Sequence, residues 1–227
     1  MLSYYELARH LKNRLVVYWP LTSACNGYFW DFFQPVPYLE FTTNQPLYIN
    51  YHGGKLHPNF QQPSYRHLRL RPKFQRFIDA YIAQNKLNEK PHIALHIRRT
   101  DHTTLSKDRN KPVTTDDEFI AFVKEQPTDA KIYLATDNRK TQDQFINLFG
   151  KDRVLVHHLI NPINTAQRKT SLGEAIFDIY ICSQTHKFKG SHRSSFSDLI
   201  SLLRKINQGK DLPSTFTPQS QQNKIDA

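Results

Sequence analysis

Cysteine is nearly missing from this chain: Cys25 and Cys182 are the only two in 227 residues. With no CxxC spacing and no dense cysteine pattern, a zinc ribbon and a disulfide scaffold are excluded, and a reducing compartment is compatible. Apolar runs are short as well, none nearing the ~18 residues a membrane-spanning helix needs. The first residues, MLSYYELARHLKNR, carry Glu6 and lack the apolar centre and small-residue cleavage site of a signal peptide. The expectation is a soluble, cytoplasmic protein. Glycine is scarce, 7 against 13 prolines, 15 phenylalanines and 11 tyrosines. That balance fits a loop-rich α/β protein better than a disordered one. Acidic residues are also in short supply: 20 Asp and Glu face 31 Lys and Arg, a net charge of +11. Such a chain suits an anionic partner, whether nucleic acid, a membrane surface touched peripherally, or a phosphorylated small molecule.

What is present is organised around Pro91–Asp101, PHIALHIRRTD. Its apolar run reads as a strand buried in a parallel sheet, and it ends in Arg98, Arg99, Thr100 and Asp101. Before it, spacing predicts a helix over Leu2–Leu11, a strand over Leu15–Trp19 and a helix over Pro72–Leu87. Between Thr22 and Tyr65 turn signals and rings dominate. Trp30, Phe32, Phe33 and Tyr38 read as packing residues of an irregular region, with an aromatic-lined acceptor cleft as the sharper alternative. Arg66–Arg71, RHLRLR, reads as an edge strand or loop.

After the central strand comes a polar loop, then a capping box from Thr115 to Glu118 ahead of an apolar helix. Lys131–Ala135 is a second buried strand, Thr141–Phe149 a helix stopped by Gly150, and Arg153–Val156 a third strand. Leu172–Gln184 reads as a helix, Lys187–Gly190 as extended chain and Ser194–Ile206 as the last helix. Alternation of this kind specifies a Rossmann-like parallel sheet. We expect a domain boundary near residue 90, giving 1–90, 91–208 and a polar tail at 209–227.

Three strand ends or helix starts carry polar groups suited to an anion. Two adjacent arginines, Arg98 and Arg99, offer forks that match phosphate oxygens. Thr136 and Asp137 close the second strand. In Phe188–Ser197, FKGSHRSSFS, hydroxyl residues open a helix, where free N–H groups favour a phosphate. Ser194 or Ser195 serves equally as a plain helix N-cap. His96 reads as a satisfied core histidine. No DxD stands near a strand end, and His157-His158 have no third ligand at useful spacing.

HIRRTDH resembles the HxRRTD motif of the α1,6-fucosyltransferases and nodulation fucosyltransferases, members of a GT-B superfamily that includes the protein O-fucosyltransferases. DIYICSQTHKFKGSHRSSFSDLI is similar to that superfamily's D-x-x-x-(L/C)-S…SSFS block, and YLATD falls between them as in the family. The resemblance covers about residues 91–206 and implies a GT-B-like α/β fold: a Rossmann-like C-terminal nucleotide-binding domain and a short, irregular N-terminal α/β lobe on the acceptor side. It implies GDP-fucose as donor, a glycan or other hydroxyl acceptor, and inverting, metal-independent transfer without a cofactor. Arg98 is similar to the arginine that holds the diphosphate; Arg99 assists, and Asp101 matches a needed carboxylate. Asp178 matches the guanine-reading carboxylate, Ser194 and Ser195 the phosphate-binding hydroxyls, and Asp137 the aspartate after YLAT. His102 stands where the family has lysine and joins the donor-binding set. The family's opening strand and Gly/Asn-rich loop have no counterpart ahead of Leu2. Acceptor-base candidates are Asp31, Glu40 and His52.

Two other classes compete. A non-catalytic remnant would bind GDP or a GDP-sugar without transfer. A basic nucleic-acid-binding protein would explain the charge, but no such motif is present and the basic residues do not gather on one helix.

Overall fold

The structure, a computed structural model, describes residues 2–22, 27–45, 65, 68–87, 91–99, 113–157 and 171–207. Asp101, His102, His52, most of the polar loop and the tail lie outside these residues. The chain forms two compact units, one of residues 1–76 with 171–173, the other of residues 77–170 with 174–227. The division falls inside a helix, where the sequence placed it near residue 90.

The first unit holds α1 (Leu2–His10), β1 (Leu15–Tyr18), α2 (Phe29–Phe32), β2 (Leu39–Thr42) and the first turn of α3 (Pro72–Gln84). β1 and β2 pair in parallel, Leu15 opposite Leu39. The sequence did not reveal β2: only Leu39 and Phe41 alternate inward, between Pro37 and the turn at Asn44. Rings fill this unit. Phe29 stacks on Phe41 at 4.2 Å and on Phe33 at 4.6 Å, with Trp19 and Trp30 meeting Phe41 edge-on. Such pairs add about 0.5–1.5 kcal/mol each beyond their burial. Trp30 and Phe33 therefore pack as a core. Tyr38 does not: it is 43% exposed, with φ +65°, and its carbonyl accepts from the Leu15 amide.

The second unit is a four-stranded sheet, every pair parallel. Its strands are β3 (Ile93–Ile97), β4 (Ile132–Thr136), β5 (Val154–Leu155) and β6 (Lys187–Gly190), in the order β5-β4-β3-β6. Every residue of β3 and β4 is buried, as expected of strands covered on both faces. Ile93, Leu95 and Ile97 pack with Phe119 and Val123 of α4 (Asp116–Lys124) and Phe145 of α5 (Arg139–Phe149). The alternate residues face the other way. There His96 stacks on Phe196 of α7 (Ser195–Asn207) at 4.4 Å, and Tyr133 bonds to Asp178 of α6 (Leu172–Gln184). Progression from β3 to β4 to β5, then a return to β6 on the far side of β3, makes the β3/β6 boundary the topological switch point.

α7 is fixed at both ends. Near its start, Ser197 lies against Gly190, where an added Cβ would sit 2.5 Å from the Ser197 Cβ and Oγ. Near its end the buried Arg204 donates to the carbonyls of Cys182, Thr185 and His186 at the close of α6. A cation there meets the negative end of that helix. Burial lowers the Arg204 pKa, yet a guanidinium keeps its charge. Gly190→Ala forces a backbone shift and should destabilise by about 1–3 kcal/mol, read as a fall in the urea midpoint; an unchanged midpoint would contradict this packing.

Candidate functional site

The crest of the site is the chain leaving β3. Parallel strands give the backbone of alternate residues to opposite neighbours, and beyond Ile97 side chains continue that ladder. On the β6 side, the Ser191 hydroxyl accepts from the Arg98 amide at 2.9 Å and donates to the His96 carbonyl at 3.2 Å. The Ser191 amide donates to the same carbonyl at 2.9 Å. On the β4 side, the Thr136 hydroxyl donates to the Ile97 carbonyl at 2.6 Å. Asp137 Oδ1 accepts from the Arg99 amide at 2.8 Å.

The two arginines have different surroundings. Arg99 lies on the α4 side: its guanidinium donates to the Thr114 carbonyl at 3.0 Å and to Asp116 at 2.5 Å, and it sits over the Phe119 ring. This ties the crest to the start of α4, so Arg99 has a positioning part. Thr114, buried, also accepts through its hydroxyl from the His192 amide at 2.8 Å. It thereby joins the approach to α4 with the turn after β6. By alternation Arg98 belongs to the opposite face, that of His96 and α7.

After β6 the chain turns through Arg193 at φ +58° into α7. Ser194 is buried, and its hydroxyl accepts from the Ser197 amide at 3.5 Å while its carbonyl accepts from the Asp198 amide at 2.9 Å. That is N-cap geometry. Ser195 is the first helical residue and is exposed. His96 is buried, its Nδ1 2.7 Å from the Ser197 hydroxyl.

Asp178 is half-buried on α6, and the fully buried Tyr133 donates to its Oδ1 at 2.5 Å. Burial above all, and then the Asp178 carboxylate, push the Tyr133 phenol well above its usual pKa and raise that of Tyr81 too. The structure thus brings Arg98, Arg99, Asp137, Ser194 and Ser195 to adjoining strand ends and puts Asp178 under β4. Of the acceptor-base candidates in the first unit, Asp31 accepts from the Tyr28 amide and Glu40 pairs with the exposed Arg14. Sequence reasoning missed Thr114, Asp116 and Tyr133, and it took Ser191 only as part of a hydroxyl-rich run. Adjacency to the motifs is the one signal they gave. Among the described residues, no group of three or more His, Cys, Asp or Glu could hold a metal ion, and no helix is long and apolar enough to cross a membrane.

An all-parallel sheet with helices on both faces and polar groups at its switch point defines a Rossmann-like α/β fold. The sequence model of the GDP-fucose protein O-fucosyltransferase family matches residues 7–207, and the chain belongs to that family of GDP-fucose-dependent fucosyltransferases. Among solved structures it is similar to the NodZ α-1,6-fucosyltransferase soaked with GDP-fucose, with 16% identity, a TM-score of 0.55, and 88% of this chain and 85% of that one covered. The same enzyme co-crystallised with GDP gives 16% identity, 0.55, 88% and 86%. The fucosyltransferase NodZ from Bradyrhizobium gives 16% identity, 0.53, 88% and 86%. At that identity the likeness is one of fold, and the fold is GT-B-like. No curated sequence matches the chain.

The capping box at α4 carries a pH signature. The Thr115 amide donates to Glu118 Oε2 at 2.7 Å, and this bond, first among the causes, holds the Glu118 carboxyl below its ordinary range. A group lowered on folding contributes stability above its unfolded pKa and loses it as pH falls through the folded one. Glu118→Gln should therefore be less stable than the parent at neutral pH, with the gap closing between about pH 5 and about pH 3. Urea midpoints of both proteins across that range check it; a gap independent of pH refutes it.

Proposed function

We propose that the protein transfers fucose from GDP-fucose to a glycan or other hydroxyl acceptor, inverting the anomeric carbon and using no metal. Support comes from the geometry: three features proposed for the donor site fall on one face of the sheet, Arg98 by strand alternation. Arg98 follows His96 on that face, α7 begins against it, and Asp178 meets it through Tyr133. Ala94, which pairs with Tyr133, precedes Arg98 by four residues, about 13 Å along the strand.

In this reaction the acceptor oxygen attacks the anomeric carbon opposite the diphosphate. The bond to the diphosphate oxygen breaks, and GDP leaves with the electron pair. Positive charge grows on the sugar and negative charge on the phosphates. A fixed guanidinium at Arg98, with the N–H groups that open α7, binds that state more tightly than the ground state. Arg99, through Thr114 and Asp116, holds the crest that presents Arg98. Asp178 accepts from N1–H and N2–H₂ of guanine, and Asp137 keeps the β4 edge in place. Asp101 completes the donor set by its match to the motif, and His102 by standing where the family has lysine. Cationic side chains here take the part a metal plays elsewhere, so chelation should leave the rate unchanged.

Thermal melts with GDP, GDP-fucose, ADP and UDP give the direct test: the guanine nucleotides raise Tm and the others do not. Arg98→Ala should lower release of GDP from GDP-fucose in the presence of a glycan panel by about 10²–10³-fold. Undiminished turnover by that variant removes its assigned role. Stabilisation by GDP without any transfer would leave a binding protein.

A further inference from the structure

We propose that Tyr133 sets base specificity by holding Asp178 in the orientation that distinguishes guanine from purines lacking the 2-amino group. This rests on the reading that Asp178 meets the guanine edge.

Tyr133 is fully buried in an inner strand, where an apolar side chain would fill the space without needing a partner. A buried phenol requires one. Here the partner is a carboxylate on α6 and not a neutral carbonyl, which leaves charge in a poorly solvated place. The phenol has little freedom. Tyr81 meets its ring edge-on at 5.9 Å, and Tyr81 in turn meets Phe177 at 5.1 Å and donates to the Val156 carbonyl at 3.5 Å. The high Tyr133 pKa keeps the proton on its oxygen, so the bond to Oδ1 always runs from phenol to carboxylate. One carboxylate oxygen is thus anchored to the sheet, and rotation of the carboxyl plane is restricted.

Guanine presents two parallel donors, N1–H and N2–H₂, which a carboxylate accepts as a fork only when its plane is set. Hypoxanthine has the first donor and lacks the second. An anchored carboxylate therefore separates GDP from inosine diphosphate, and a rotating one separates them poorly, since preorganisation is what fixes the fork. Tyr133 touches no substrate in this scheme. It is a positioning residue that acts through Asp178.

Calorimetric Kd values for GDP and inosine diphosphate on the full chain test this. The parent should prefer GDP by about tenfold or more, the contribution of one charge-assisted hydrogen bond. Tyr133→Phe should shrink that preference to about threefold or less. Placing p-aminophenylalanine at 133, which keeps both ring and donor, should restore it. If the phenylalanine variant does not fold, 4-fluorophenylalanine at 133, of similar volume and without a donor, takes its place. Asp178→Asn should erase the preference, and adding Tyr133→Phe to it should change nothing further. A Tyr133→Phe protein with the parental preference, or a double variant that binds GDP more weakly than Asp178→Asn alone, overturns the role of Tyr133 while leaving Asp178 as base reader. A parental preference in Asp178→Asn overturns that underlying reading instead.

Discussion

The backbone leaving β3 is bonded to side chains on both flanks, and the rest of the candidate site depends on that arrangement. A strand buried on both faces must have every N–H and C=O paired. Where β4 and β6 stop, their backbones can no longer supply partners to β3. Ser191 on one side and Thr136 with Asp137 on the other supply them instead. The need to satisfy three backbone groups thus fixes where two arginines leave the sheet. Burial contributes the stability here, at about 25 cal/mol per Å² of apolar surface, and hydrogen bonding contributes the geometry.

Two adjacent residues of one type consequently do different work. Strand alternation sends Arg99 toward α4, where Thr114, Asp116 and the Phe119 ring hold it. It leaves Arg98 on the face of α7 and Asp178. Of a doubled arginine that reads as two phosphate clamps, one is tied to the start of α4. The same face joins Tyr133 to α6, so nucleotide base and phosphate groups would be met by the same side of the sheet.

Much of this was legible in the sequence. Ile93–Ile97 and Lys131–Ala135 declare inner strands because they are almost continuously apolar, and the Thr115–Glu118 box announces its helix because capping is local chemistry. β2 was hidden, since four residues give too little alternation to outweigh the prolines beside them. Tyr38 misled: its ring suggested packing, but the left-handed turn into β2 turns it to solvent. Ser191 and Thr114 could not be singled out by residue type, because their importance comes from register, which is set only when β6 lies beside β3. Ser194 carried two readings, phosphate ligand and cap, and its bond to the Ser197 amide gives the cap a definite share.

The contact of Gly190 with Ser197 and the seating of Arg204 at the end of α6 bear on how this stretch can vary in length. Each residue inserted between Ser197 and Arg204 would turn one contact by about 100° relative to the other. With Ser197 kept against the glycine and His96, Arg204 would lose the three carbonyls it joins. The spacing of these two residues along α7 is therefore locked from both ends of the helix. An insertion or deletion between them would unseat the whole element.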